Sequence, residues 1–195
     1  MRTGFHRQLN LPSVEIFAGE YHVTTDTNVV ISTLLGSCVS VCLKDIRTGM
    51  AGMNHFMLPK AVKEGEIIIS EAARYGTYAM ELMINEMLKL GARRSNLHAK
   101  VFGGGHILDT MLNTVSDSNI HFAFSFLKLE GIPVLGKDVG GSSGRRVLFL
   151  PGEFSVYVRK IGKTKQLNTA ISQEKRYLQM LHQKQKATSD VELFD

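Results

Sequence analysis

The stretch TLLGSCVSVCLKDIRTGMAGMNHFMLP, residues 33–59, decides how the chain is read. It holds two apolar runs, CVSVCL at 38–43 and GMNHFML at 52–58, separated by polar, turn-forming residues. Runs of this length and composition predict strands. Cys38 comes directly after Gly36-Ser37, where a loop enters the first strand, and His55 directly after Asn54 in the second. Further out, VEIF (14–17) and VVISTLL (29–35) also read as strands. Ser70 is a suitable helix cap. The segment 71–90 carries Met80, Met83, Ile84, Met87 and Leu88 at helical spacing, with Arg74, Glu81, Asn85 and Lys89 on the opposite side and Gly91 placed to close it. The methionine stripe is expected in the core. LHAKVF (97–102) predicts a strand that runs into Gly103-Gly104-Gly105. A second helix is expected from about Asp117 or Ser118 to Glu130, stopped by Gly131 and Pro133. RRVLFL and FSVYVRKI flank Pro151-Gly152 as a hairpin. The pattern predicts one α+β domain over 1–162 and a basic, weakly helical tail over 163–195, patterned through Ile171, Leu178 and Leu181.

Composition narrows the class. The chain has 195 residues, 44% hydrophobic and 21% charged, ordinary for a globular domain with its own core. No stretch approaches the roughly 18 apolar residues of a membrane span, and the start has no continuous apolar run of a secretory signal, so a cytoplasmic location is expected. The net charge of +5 is unevenly placed. Residues 1–158 hold 15 Lys/Arg against 14 Asp/Glu, and residues 159–186 hold 8 against 1. The basicity therefore belongs to the tail, without aromatic interleaving, and nucleic-acid binding is not expected. Arg159, Lys160, Lys163 and Lys165 begin a positive stretch that could meet an acidic partner surface as well as water.

The two cysteines are expected to be free. On an extended strand Cys38 and Cys42 stand about 13 Å apart, at roughly 3.3 Å per residue. A disulfide needs Cα atoms within about 7 Å. The same separation argues against one metal ion held by Cys38, Cys42 and His55, and no metal is expected. Cys42 lies inside its strand and reads as core. Cys38 has two readings, a buried small hydrophobe or a nucleophile whose base is His55. The glycine before it favours the second, because a flexible backbone at Gly36 and Ser37 can aim N–H groups at an anion. Asn54 before His55 suggests a rim. The loop VFGGGH lacks the Gly-Lys-Ser/Thr of a phosphate-binding loop and is explained equally by a close backbone approach.

The run LLGSCVSVCLKD…GMNHFMLP, with EAARYGTYAMELMINEMLKLGARRSNLHAKVFGGG and GRRVLFLPGEFSVYVRKI, resembles the chemoreceptor glutamine deamidases of bacterial chemotaxis, the CheD family, over about residues 14–161. The resemblance implies a four-layer α/β/β/α sandwich similar to the catalytic domain of cytotoxic necrotizing factor toxins. It implies a protein-glutamine glutaminase, with Cys38 as nucleophile and His55 as general base and acid. The family's third member, a threonine six residues before the cysteine, falls on Ser32; Thr33 is adjacent but out of register. The implied reaction converts receptor glutamine to glutamate through a thioester with release of ammonia, without metal or organic cofactor. Methyl-accepting receptor helices are the implied substrates and a CheC-type phosphatase an implied partner in some bacteria; an adaptor acting by docking alone is the alternative. The chain departs from the family at Ser116-Asp117-Ser118-Asn119 and at Gly140-Gly141-Ser142-Ser143-Gly144, positions expected to bear on how substrate or partner is held.

Overall fold

The computed structural model describes residues 1–61, 70–107, 110–162 and 165–189. In chain order the strands are β1 (Arg2–His6), β2 (Leu11–Glu15), β3 (Tyr21–Thr24), β4 (Val30–Leu35), β5 (Val39–Asp45) and β6 (Ala51–Asn54). Helix α1 (Glu71–Lys89) precedes β7 (Leu97–Gly103), and α2 (Thr110–Leu129) precedes β8 (Val134–Val139), β9 (Gly144–Leu150) and β10 (Ser155–Ile161). Helix α3 (Lys165–Ser189) closes the described chain. The strands form two mixed sheets, ordered β1-β2-β4-β9-β10 and β3-β6-β5-β7-β8.

Period-two alternation sorts the side chains into two cores. Ile31 and Leu35 of β4 meet Cys42, Met53, Phe102, Val147 and Phe149 between the sheets. On the other face of the second sheet, Val39, Val41 and Leu43 of β5 meet Met80, Met83, Ile84 and Met87 of α1, and Phe122 and Phe126 of α2. The methionine stripe is therefore core, each fully buried side chain contributing about 1.5–3 kcal/mol. Helix α3 crosses one end of the first sheet, where Leu167 and Ile171 pack with Ile161, Leu34 and Ile107.

Local signals explain most boundaries. Ser70 caps α1, its hydroxyl accepting from the Ala73 N–H at 3.2 Å, and Gly91 ends it with φ +105°. β9 and β10 pair as the expected hairpin, Leu150 opposite Ser155. Three strands were not legible: β1, β3 and β8 are sheet edges, and their mixed sequences RTGFH, YHVT and VLGKDV face water on at least one side. The strand expected over 14–17 is β2, at 11–15. The strand expected over 52–58 stops at Asn54, and Phe56 makes only an isolated bridge with Val39.

Helix α2 begins at Thr110, well before the Asp117 or Ser118 expected. The polar run that looked like a cap is instead a helix face turned inward, with Ser116 and Asn119 fully buried. The tail forms a 25-residue helix with Leu167, Ala170, Ile171, Glu174 and Leu181 buried. Lys163 and the last residues, 190–195, lie outside the described residues.

Candidate active site

The loop 36–38 between β4 and β5 is held by its carbonyls. Gly105 N–H donates to Gly36 O at 2.8 Å and Gly104 N–H to Cys38 O at 2.7 Å, while Asn119 Nδ2 of α2 donates to Ser37 O at 3.0 Å. Asn119 Oδ1 also accepts from Leu58 N–H at 2.7 Å, so one amide joins two loops. Gly103 must be glycine here: at φ +114° an added Cβ would stand 2.2 Å from Cys38 O. The N–H groups of Gly104 and Gly105 are thus engaged with the loop, which rules out a phosphate reading of VFGGGH through those two donors.

With the carbonyls held on one side, the N–H groups of the loop converge on the other. Gly36 N–H donates to Glu174 Oε1 at 2.7 Å, Ser37 N–H to Oε2 at 2.9 Å and Cys38 N–H to Oε1 at 3.4 Å. The Ser37 hydroxyl adds a fourth bond to Oε2 at 2.8 Å. The expected anion-binding backbone at Gly36 and Ser37 is therefore present as geometry, and a carboxylate from α3 fills it. Glu174 was not anticipated. Its signal was available: it is the single acidic residue among eight Lys/Arg between 159 and 186.

Cys38 Sγ, a His55 ring nitrogen and a Glu174 carboxylate oxygen lie within 4.8 Å of one another. His55 is fixed at both backbone groups, its N–H to Glu20 O at 2.9 Å and its C=O from Gly19 N–H at 2.7 Å. The ring tautomer follows from proton accounting. Thr33 Oγ1 donates its only hydrogen to Ile16 O at 2.7 Å, and it stands 2.8 Å from His55 Nδ1. The hydroxyl must then accept from Nδ1–H, which leaves Nε2 with a bare lone pair. Among the described residues, Nε2 is the one buried side-chain nitrogen or oxygen without a hydrogen-bond partner.

The hydroxyl on His55 is that of Thr33, which corrects the assignment to Ser32. Thr33 shares the inward face of β4 with Ile31 and Leu35, whereas Ser32 faces outward into a groove of about 540 Å³ with Glu15, Arg146 and Leu148. Residues one apart on a strand point to opposite faces. Asn54 is also no rim residue; it is buried, and its Oδ1 accepts from Val41 N–H at 2.9 Å. Cys42 lies in the intersheet core, and both thiols are free.

Burial dominates the electrostatics. It pushes the Cys38 thiol well above its ordinary range, and the Glu174 carboxylate pushes the same way. It lowers His55 to about 3. Glu174 Oε1 lies 4.0 Å from His55 Nε2, a separation at which a carboxylate favours a protonated ring. Burial prevails, because the carboxylate oxygens are already engaged by three N–H groups and a hydroxyl. In this arrangement thiol and imidazole are both neutral. The Cys38–His55–Glu174 cluster also has the donor types of a cation site, but both carboxylate oxygens are turned to backbone donors, the way an anion is held. A cavity of about 170 Å³ between α3 and the first sheet reaches His55 and Glu174 past Arg146 and Gln173.

No described helix is long and apolar enough to cross a membrane. Over residues 57–160 the chain matches the family model described as CheD chemotactic sensory transduction. A Methylobacillus flagellatus protein is 45% identical over 193 residues, covering 97% of this chain and 93% of its own length. A protein of Caulobacter vibrioides is 47% identical over 151 residues, 76% of this chain and 78% of that one. Both bear the name "Probable chemoreceptor glutamine deamidase CheD". Among solved structures, Neisseria meningitidis protein NMB0706 overlaps 70% of this chain and 65% of its own at a TM-score of 0.39 and 13% identity, too loosely to bear on fold or function. Matched over more than half its length by the family model and over nearly all of it by a relative of 45% identity, the chain belongs to the CheD family.

Proposed function

We propose that the protein is a protein-glutamine glutaminase, a cysteine hydrolase that converts glutamine side chains of methyl-accepting chemotaxis receptors to glutamate. The observation that carries this reading is a His55 ring nitrogen within 4.8 Å of Cys38 Sγ, on an imidazole whose Nε2 has no hydrogen-bond partner, next to three converging N–H groups. Ordinary thiols titrate well above neutral pH and need a base there. Nε2 takes the Cys38 proton, and the thiolate attacks the amide carbon. Charge that builds on the amide oxygen is received by the N–H groups of Gly36, Ser37 and Cys38, each such donor being worth roughly 3–4 kcal/mol in the transition state. His55 passes its proton to the departing ammonia, and the same imidazole activates the water that opens the thioester. Thr33 holds the tautomer. The chemistry calls for no metal or organic cofactor.

The relatives' names support receptors as substrates, and such a protein works in the cytoplasm, where receptor signalling helices lie. Helices over one sheet, and α3 across the other, are compatible with a four-layer α/β/β/α sandwich similar to the necrotizing factor catalytic domain. We also retain 1–162 as the deamidase domain and 163–195 as a basic tail, which packs against that domain through α3. A CheC-type phosphatase is a candidate regulator. Docking as an adaptor is the second reading, favoured by the burial of Cys38 under α3. Intact mass distinguishes them: a receptor fragment gains about one dalton per site as NH₂ becomes OH. The gain is expected with wild type and Cys42→Ala and absent with Cys38→Ala; no gain with folded wild type, nor with a folded Glu174→Ala variant whose site is cleared of the carboxylate, favours the adaptor.

A further inference from the structure

Glu174 takes no part in the chemistry above, yet it is 3% exposed and its carboxylate fills the site. Deamidation of glutamine leaves a glutamate side chain, one oxygen from the amide and the other from water. A glutamate whose oxygens rest on the N–H groups of Gly36, Ser37 and Cys38 stands where that product would stand. Its backbone is helical, and neighbours one turn away on α3 seat it: Ala170 and Ile171 are buried before it, and Tyr177 after it packs over Gly19. Even Gly36 fits the same purpose, since an added Cβ would lie 2.7 Å from Glu174 Oε2.

We propose that α3 is a tethered product mimic: Glu174 occupies the subsite of a substrate glutamine side chain, and α3 must leave before another polypeptide can enter. The proposal rests on the deamidase reading and adds its regulation. A carboxylate suits the subsite better than an amide, because both its oxygens accept and the bonds are charge-assisted. It is also inert there, having no amine to lose. The anion beside Cys38 opposes formation of a thiolate, so the closed chain is blocked by charge as well as by bulk.

The inference makes the chain its own substrate after one change. With Glu174→Gln, the amide takes the place of a carboxylate that has an oxygen within 4.8 Å of Cys38 Sγ. An S–C bond forms and the C–N bond breaks; the thiol proton travels through His55 Nε2 to the leaving ammonia. Water from the cavity that reaches His55 then hydrolyses the thioester, restoring the thiol and leaving glutamate at position 174. The balance is glutamine plus water giving glutamate plus ammonia.

The test is mass spectrometry of full-length E174Q and C38A/E174Q, read in the tryptic peptide 166–175 and localised by fragmentation. The expected result is glutamate at 174 in E174Q and glutamine in C38A/E174Q. E174A, and I171N, which loosens α3 without touching the loop, should each raise alkylation of Cys38 by iodoacetamide roughly tenfold or more, as the open fraction rises. Alkylation unchanged in both overturns the proposal. So does a glutamine that persists in E174Q while E174A deamidates a receptor fragment, an outcome that leaves the deamidase reading standing. If E174Q persists and E174A, correctly folded, leaves the fragment untouched, the deamidase reading falls and the proposal with it.

Discussion

Ser32 and Thr33 are neighbours in sequence and on opposite faces of a sheet, and only one of them meets the imidazole. The distinction follows from period-two alternation once β4 is read as VISTLL, with Ile31 and Leu35 inward. The family's six-residue spacing before Cys38 points to Ser32, whereas the inward face of β4 carries Thr33 to the imidazole. The roles are separable by substitution. Thr33→Val removes the acceptor that keeps the proton on Nδ1 and should lower kcat about tenfold, the worth of a hydrogen bond of roughly 1.4 kcal/mol, with KM little changed. Thr33→Ser should restore it. Ser32→Ala should leave kcat within about twofold, since a change of under 0.5 kcal/mol is usual away from a site. Steady-state deamidation of a receptor fragment by the three variants decides the matter, and equal losses in Ser32→Ala would return the role to Ser32.

At the scale of elements, α2 does more than cover a sheet. Its inward polar face looks in sequence like a cap followed by an ordinary helix, because composition alone cannot tell a capping Ser or Asn from one that clamps a loop. Asn119 supplies both a donor to Ser37 O and an acceptor for Leu58 N–H. In Asn119→Ala both backbone groups lose their partner in a buried setting, at a cost of roughly 2 kcal/mol and several degrees of Tm. Activity should fall further than stability alone accounts for, since the loop that aims the three N–H groups loses a carbonyl tether. Thermal denaturation and kcat, measured together on the folded variant, check both parts. Helix α3 was legible only as a weak pattern through Ile171, Leu178 and Leu181. A polar, basic segment reads as solvated until its single carboxylate is seen to have four donors waiting.

For the whole molecule, the intersheet space joins stability to chemistry. The strong strands and α1 were legible because burial on defined faces writes a period into the sequence; the edge strands β1, β3 and β8 carry little of that period. The cost of placing a working cysteine and histidine inside appears as pH dependence. His55 has a folded pKa of about 3 against 6.5 for an ordinary imidazole. Below about pH 6.5 the unfolded chain takes up a proton that the folded chain refuses, so this contribution is present above 6.5 and is lost as pH falls towards 3. The slope is about 1.4 kcal/mol per pH unit for one proton. Cys38 and Cys42 act at the other end, with thiols raised above the ordinary 9.0. Their contribution is complete below 9 and is lost as pH rises beyond it, because the unfolded thiols ionise first. Stability should therefore be greatest between about pH 6.5 and 9, with two falling arms. In denaturant melts across pH, His55→Gln should reduce the slope of the acid arm by about one proton's worth and leave the shares of His22, Glu15 and Asp45, whose values are also held down. The Cys38→Ala/Cys42→Ala pair should remove the fall that begins near pH 9 and leave that of Tyr177, raised from 10.0 to about 12. An acid arm that keeps its slope in His55→Gln would mean that the imidazole is solvated and protonated in the folded chain, and so is not the base held in reserve beside Cys38.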